Sequence, residues 1–264
     1  MNAAVVKPLD VRLMNMSVVA LMLVFAILCG LALVRWVSRL SVFDIAGITV
    51  TGDTAHNNSL TLRANVAPRI AGTFFTVDLA RVRSAFEAAP WVRKAVVRRD
   101  FPNRLKVALQ EHQPVAFWGG EGDRELRLVN NYGEVFEANV DEVDQDSLPT
   151  LIGPDAQAPE VLTMYRALAP MFAQMNLPVE QLELSGRGSW SVQLGSEAAM
   201  ELGRGTVPEV TARVDRFLKT LTQVVTRYGR QGAALESADL RHENGYAIRL
   251  RGVSTAAVDA VQKK

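Results

Sequence analysis

The chain has little of what enzymes and disulfide-stabilised secreted domains rely on. Among its 264 residues there is one cysteine, Cys29, and it lies inside a long apolar run. The remainder can therefore form no disulfide and offers no thiol as nucleophile or metal ligand. Three histidines occur, His56, His112 and His242. None is spaced three to five residues from another and no H-E-x-x-H is present, which argues against zinc or histidine-based metal catalysis. Excess charge is missing too, with 29 Lys and Arg against 28 Asp and Glu. That balance removes the general electrostatic argument for nucleic-acid binding. Residues 185–189 (SGRGS) lack the G-x-S-x-G order of a nucleophile elbow, and S-x-x-K is absent. Gly203-x-Gly205 has neither a third glycine nor the Lys-Ser/Thr of a P-loop. Glu142, Asp144 and Asp146 alternate, yet lack the central glycine and terminal glutamate of a calcium loop. The expectation is a chain that is not an enzyme, with no cofactor, no metal and no small-molecule substrate.

What is present in excess is one hydrophobic run. Residues 13–34 contain 22 residues and no charge. As a helix they span about 33 Å, against a hydrocarbon core of roughly 30 Å. A core helix of that length would carry a polar face, and a cleaved signal would have a shorter apolar region and a small-x-small site. Neither fits, so the run reads as a single transmembrane helix over residues 13–36. Arg35, Trp36 and Arg39 stand where interfacial side chains are expected. Lys7 and Arg12 precede the span and Arg35 and Arg39 follow it, a near tie in charge. A short leading tail before one long region favours the N-terminus inside and the bulk outside. Ala26 and Gly30 give a weak small-xxx-small spacing for helix pairing.

Beyond a linker at 37–42, residues 43–51 are rich in β-formers and end at Gly52-Asp53. A short helix is expected at 60–67. Asp78 is placed to cap a helix over 79–88, with Leu79, Val82 and Phe86 on one face. Residues 91–99 and 104–111 alternate around Phe101-Pro102-Asn103 and predict a hairpin. Arg93, Arg98, Arg99 and Arg104, with Lys94 and Lys106, make this hairpin basic, a face for lipid phosphates or an acidic partner, or a solvated sheet face. A second unit starts near Pro114. It shows short strands at 115–118, 126–130, 135–136, 182–184, 189–194 and 199–202. A helix from Pro159 to about Met175 should kink near Arg166, because Pro170 lies inside it. Thr206 and Glu209 form a capping box for a helix over 207–227, whose stripe runs from Val210 through Phe217 and Leu221 to Val224, Val225 and Tyr228. Strands at 237–241 and 246–250 close the fold. With no catalytic set, function is expected at an exposed strand edge, where unpaired backbone groups accept a partner strand. The last strand pair is the candidate.

The ordered motifs resemble a known family. Ile48-x-Val50-x-Gly52, Phe75-x-x-Asp78, Pro90-Trp91-Val92 and Arg98-Arg99-Asp100-Phe101-Pro102-Asn103-Arg104-Leu105 look like a POTRA domain. Glu111-His112-Gln113-Pro114-Val115-Ala116-Phe117-Trp118, Leu128-Val129-Asn130, Gly133-Glu134-Val135-Phe136 and Leu148-Pro149-x-Leu151-x-Gly153-Pro154 resemble the bacterial FtsQ/DivIB family, as do Trp190-x-Val192-x-Leu194, Leu202-Gly203-Arg204 and Asp239-Leu240-Arg241. The resemblance implies an α+β protein: a cytoplasmic tail (1–12), the transmembrane helix (13–36), the linker (37–42), a POTRA domain (43–112), a mixed α/β "beta" domain with an exposed edge strand (113–252) and a C-terminal tail (253–264). It implies a non-catalytic inner-membrane scaffold of the division septum, with its bulk in the periplasm and FtsB and FtsL as partners. FtsB would add a strand to the last strand. By position, Arg187, Arg241, His242, Asn244, Gly245, Tyr246, Ile248 and Leu250 fall on that contact. His242 stands where the family usually has tyrosine, and Leu250 where tryptophan is seen. The alternative is a POTRA-bearing component of a translocation or secretion system, a class that normally continues into a transmembrane β-barrel not seen in these 264 residues.

Overall fold

The computed structural model describes residues 9–56, 62, 66, 68, 70–119, 126–144, 148–195, 197–227, 234–242 and 245–252. The chain divides into two compact units, Met1–Glu111 and His112–Lys264.

The first unit opens with α1 (Leu9–Val37). Its segment Leu13–Val37 is long and apolar enough to cross a membrane, and none of it is buried within the protein. A helix apolar all round, with no protein against it, has only lipid as a compatible solvent. A turn at Ser41–Phe43 follows, then β1 (Gly47–Gly52), α2 (Leu79–Glu87), β2 (Val92–Asp100) and β3 (Arg104–Glu111). The sheet order is β1-β3-β2, with β1 parallel to β3 and β2 antiparallel to it. The expected strand at 43–51 thus starts later, because Phe43 is committed elsewhere. Its carbonyl accepts the Phe74 N–H at 2.7 Å, and its ring meets Phe75 at 4.9 Å. Asp78 caps α2 as expected, its Oδ1 accepting from the N–H groups of Ala80 and Arg81 at 2.9 and 3.2 Å. Val82 and Phe86 are buried among Val92, Ala95, Leu105, Val107 and Leu109 of the sheet. The helix expected at 60–67 falls mostly outside the described residues, though Leu62 and Val66 belong to this core.

Strand parity sorts the hairpin. Ala95, Val97 and Arg99 pair across Leu109, Val107 and Leu105 on the core face. Lys94, Arg98, Lys106 and Arg104 are exposed on the other. Arg99 is thereby removed from the expected basic face. Its guanidinium donates instead to the carbonyls of Phe74 (2.6 Å) and Val77 (2.9 Å) and pins the segment ahead of α2. Arg93 is half-buried, following a register shift after Val92, and donates to Gln110 at 3.4 Å.

Among the described residues, the second unit holds one nine-stranded sheet and two α-helices. Its elements are β4 (Pro114–Gly119), β5 (Arg127–Asn130), β6 (Val135–Phe136), β7 (Thr150–Ile152), α3 (Ala158–Ala173), β8 (Val179–Leu184), β9 (Ser189–Leu194), β10 (Ala199–Arg204), α4 (Val207–Arg227), β11 (Leu235–Asp239) and β12 (Ala247–Leu250). The order is β12-β11-β10-β9-β8-β7-β4-β5-β6. The α+β expectation holds. α3 packs on β7 and β8, α4 on β10, and the helices touch each other. Phe172, Phe217, Trp190 and Leu182 are buried in the shared core. α3 continues for three residues past Pro170. At the start of α4, the Glu209 carboxylate accepts from both the N–H and the hydroxyl of Thr206, at 2.7 and 3.0 Å. Val210, Val214, Phe217 and Leu221 form the buried stripe. The side chains of Val224 and Val225, and Tyr228, lie outside the described residues.

One polar knot ties β4, β5 and the start of α3. The fully buried Trp118 donates its indole N–H to Asp155 at 2.8 Å, and Arg127 donates two further bonds to that carboxylate, both 2.8 Å. These donors hold the Asp155 carboxyl below its ordinary range, Arg127 most strongly and then Trp118. Asp155→Ala leaves the buried indole N–H unsatisfied, so a loss of about 1–2 kcal/mol is expected. Urea unfolding followed by Trp118 fluorescence would read it, and an unchanged midpoint would contradict it.

Candidate partner-binding edge

Strand β12 is the last in its sheet, and among the described residues only β11 pairs with it, antiparallel. Its hydrogen-bonding side can be deduced. Arg251 donates its N–H to the Ala234 carbonyl at 2.8 Å. Alternation along a strand then turns the N–H groups of Arg249 and Ala247 toward β11 and those of Ile248 and Leu250 toward the open side. The free edge therefore presents donors and acceptors in register for another strand.

Two cavities lie in this unit, one around the end of β10 and the segment just past β11 and one at the segment leading into β12. One, about 510 Å³, is lined by Arg187, Arg204, Arg213 and Arg241, with Ser185, Ser189 and Gly203. The other, about 520 Å³, lies over α4 and is lined in part by Phe217, Thr220, His242, Gly245 and Tyr246. Arg213 borders both. It is held by the carbonyls of Leu202 and Arg204, the latter at 3.2 Å. Gly203 is required here: at φ +79°, a Cβ would lie 3.2 Å from Arg241 Cγ and 3.4 Å from Arg213 Nη1. A larger residue would meet both arginines and carry left-handed strain.

Tyr246 leads into β12. Its hydroxyl lies 2.5 Å from that of Thr220 on α4, and its ring meets Phe217 edge-on at 5.1 Å. Gly245 has no atom within 4 Å of an added Cβ, so it faces open space. Arg187, Arg241 and His242 are exposed, and Ile248 is half-buried against the core. The side chain of Leu250 is 6 % exposed and belongs to the core, so at this position the backbone rather than the side chain faces the edge. Asn244 lies outside the described residues. Arg204, Arg213, Phe217 and Thr220 were not expected at this site. Only the fold brings together β10, one strand removed from β12, and α4, which meets Tyr246, and no spacing along the chain signals it. In the first unit, Arg35 and Trp36 are exposed in the last turn of α1 and Arg39 is exposed just past it.

Arg241 is oriented by Asp239 through bonds of 2.6–3.1 Å from its side chain and 3.0 Å from its N–H. Chiefly through the Arg241 side chain, the Asp239 carboxyl is held down to about 2, from an ordinary 3.8. A lowered folded-state value contributes stability that is whole above pH 4 and is lost as pH falls toward 2. In Arg241→Gln the carboxyl NMR titration of Asp239 should move back up toward 3.8. A midpoint that stays near 2 would show that the arginine is not the cause.

Residues 116–241 match the family model described as "Cell division protein FtsQ/DivIB, C-terminal", and residues 43–112 match "POTRA domain, FtsQ-type". Among curated relatives, the chain is 36% identical over 258 residues to "Cell division protein FtsQ" of Thiomonas arsenitoxydans, covering 97% of this chain and 93% of the relative. It is 39% identical over 248 residues to the protein of that name from Burkholderia pseudomallei, covering 92% and 94%. For the Bordetella pertussis protein the identity is 35% over 261 residues, covering 91% and 92%.

Proposed function

The chain belongs to the FtsQ/DivIB family of cell-division proteins, and from that premise we propose that it is a non-catalytic scaffold receiving an FtsB-like strand along β12, in a complex that also holds FtsL. The observation that carries this reading is the open edge of β12 in the same sheet as a cavity lined by four arginines, one of which, Arg241, follows β11, the strand that pairs with β12. Backbone pairing supplies affinity in strand addition, while flanking pockets select side chains. An arginine-lined cavity selects carboxylates, which guanidinium groups can engage in bidentate pairs. Arg187, Arg241, His242, Gly245, Tyr246 and Ile248 are the contact residues in this reading, Asn244 is placed among them by sequence position, and Leu250 contributes its backbone.

A single transmembrane helix anchors the protein. In our reading residues 1–12 are cytoplasmic, 13–36 span the inner membrane, 37–42 link, 43–112 form the POTRA domain, 113–252 the beta domain and 253–264 a tail. The bulk is periplasmic and enriched at the septum. Other division proteins use the POTRA domain or the membrane helix. Anchoring partners in one membrane raises their effective concentration, so modest edge contacts suffice.

Co-purification of the full-length protein with FtsB and FtsL from detergent-solubilised membranes tests the electrostatic half of the reading. Arg187→Glu combined with Arg241→Glu should weaken capture about tenfold, because like charges then face each other across the contact. Exchanging the facing partner acid for lysine should restore it. Capture unaffected by the double reversal would remove the arginine cavity from the interface.

A further inference from the structure

We propose that the helix-proximal end of the first unit rests on the lipid surface, with Val42, Phe75 and Phe101 in the membrane interface and Arg39 among the phosphates. This contact is separate from the β12 edge and does not depend on it. Single exposed apolar side chains are ordinary on protein surfaces. These three are not scattered. Val42 is 75 % exposed, Phe75 49 % and Phe101 78 %, and each is tied to the chain just after α1.

The ties are specific. The Thr73 hydroxyl donates to the Ser38 carbonyl at 2.6 Å, one residue beyond the end of α1. The Phe74 N–H donates to the Phe43 carbonyl, and Asp44 and Thr73 form an antiparallel bridge. The Ala46 N–H donates to the Asn103 carbonyl at 2.9 Å, which holds the β2–β3 turn against the same segment. Phe75 packs on Phe43 at 4.9 Å, and Phe101 on Phe74 at 6.2 Å. Phe75 is two residues from Thr73, so it stands within about 7 Å of the bonded position. The interfacial layer is itself roughly 5–7 Å deep on each side of the hydrocarbon. Trp36, 64 % exposed in the last turn of α1, belongs to the same level.

Continuity with the span decides the occupant. A lipid headgroup layer already surrounds the end of α1, and aromatic rings with nearby arginines are the composition suited to that layer. Arg35 and Arg39 are exposed beside it, and Arg104, exposed, closes the turn that carries Phe101. Asp44 and Asp100 are exposed there too, with Asp100 opposite Arg104 in the strand register.

The test uses the full chain in phospholipid vesicles brominated on the upper acyl carbons, which quench indoles at membrane depth. Trp91, Trp118 and Trp190 are 4 %, 0 % and 1 % exposed and so are shielded. In a Trp36→Phe background, Phe101→Trp should lose the fraction of its added emission that Trp36 loses in the unsubstituted protein. Lys94→Trp in that background, exposed at the far end of the hairpin, should lose none. Phe101 is exposed, so its exchange for another aromatic spares the core. Adding anionic phosphatidylglycerol to phosphatidylcholine should deepen the quenching at position 101 through the arginines. Emission at position 101 as unquenched as at position 94, in both lipid mixtures, would overturn the proposal.

Discussion

Replacing Ile248 by proline is expected to abolish strand addition while the nine-stranded sheet persists. The reasoning rests on which way one N–H points. By alternation from the Arg251–Ala234 bond, the Ile248 N–H faces the open side of β12. Proline there removes a donor that β11 does not use, a substitution that edge strands tolerate. An incoming strand loses that bond and meets the pyrrolidine ring, so its affinity should fall at least thirty-fold, about 2 kcal/mol. Ala247→Pro is the mirror experiment. Its N–H faces β11, so that variant should loosen β12 itself and lower the melting temperature. Ile248→Ala keeps the N–H and separates lost packing from lost pairing. Binding of Ile248→Pro at the strength of Ile248→Ala would sink strand addition on this edge.

Gly52→Ala should unfold the first sheet and leave the second in place. Gly52 ends β1 at φ +103°, outside the region that other residues occupy readily. An added Cβ would lie 2.2 Å from the Leu109 carbonyl oxygen and 3.1 Å from its nitrogen. Both atoms belong to the backbone of β3, so no side-chain rotation relieves the clash. That carbonyl also accepts the Asp53 N–H at 3.2 Å, and the bond is lost if the strands part. Strain alone costs of order 1–3 kcal/mol, and the steric overlap adds to it. A loss of about 4 kcal/mol is comparable with the whole stability of a small domain. Hydrogen exchange on the full chain would show β1–β3 amides losing protection while β7–β10 amides keep theirs. Full protection of β1–β3 would contradict the prediction.

Much of this was legible from residues alone. The uncharged apolar run, the Asp78 cap and the alternation of 104–111 each come from short-range rules, and each recurs in the structure. The edge position of the last strand pair was legible because a sheet that ends in sequence there also ends in space. Long-range assembly was not. Nothing in the spacing places β4 beside β7, since parallel neighbours need a crossover of about a dozen residues or more and its length does not say which strands it joins. Arg99 illustrates a second limit. A count of cations sees a basic hairpin, whereas strand parity puts Arg99 on the core face with backbone carbonyls as partners. Leu250 illustrates a third: position along an edge strand does not say which side chains face outward, and here the pleat turns Leu250 inward. Arg204 and Arg213 line the arginine cavity from β10 and α4, whose motifs, Leu202-Gly203-Arg204 and the Thr206/Glu209 cap, mark the elements without saying that they meet Arg187 and Arg241.

The opposite margin of the large sheet is β6, only two residues long, Val135–Phe136. A sheet with two long open margins can stack margin to margin with copies of itself and grow into a filament, because such head-to-tail contacts never close. Here one margin is long enough to pair and the other is too short to answer it. On the proposed strand addition, this asymmetry would make each chain a one-socket terminus, with one captured strand per anchored molecule, because a two-residue margin offers too short a ladder for copies to stack margin to margin.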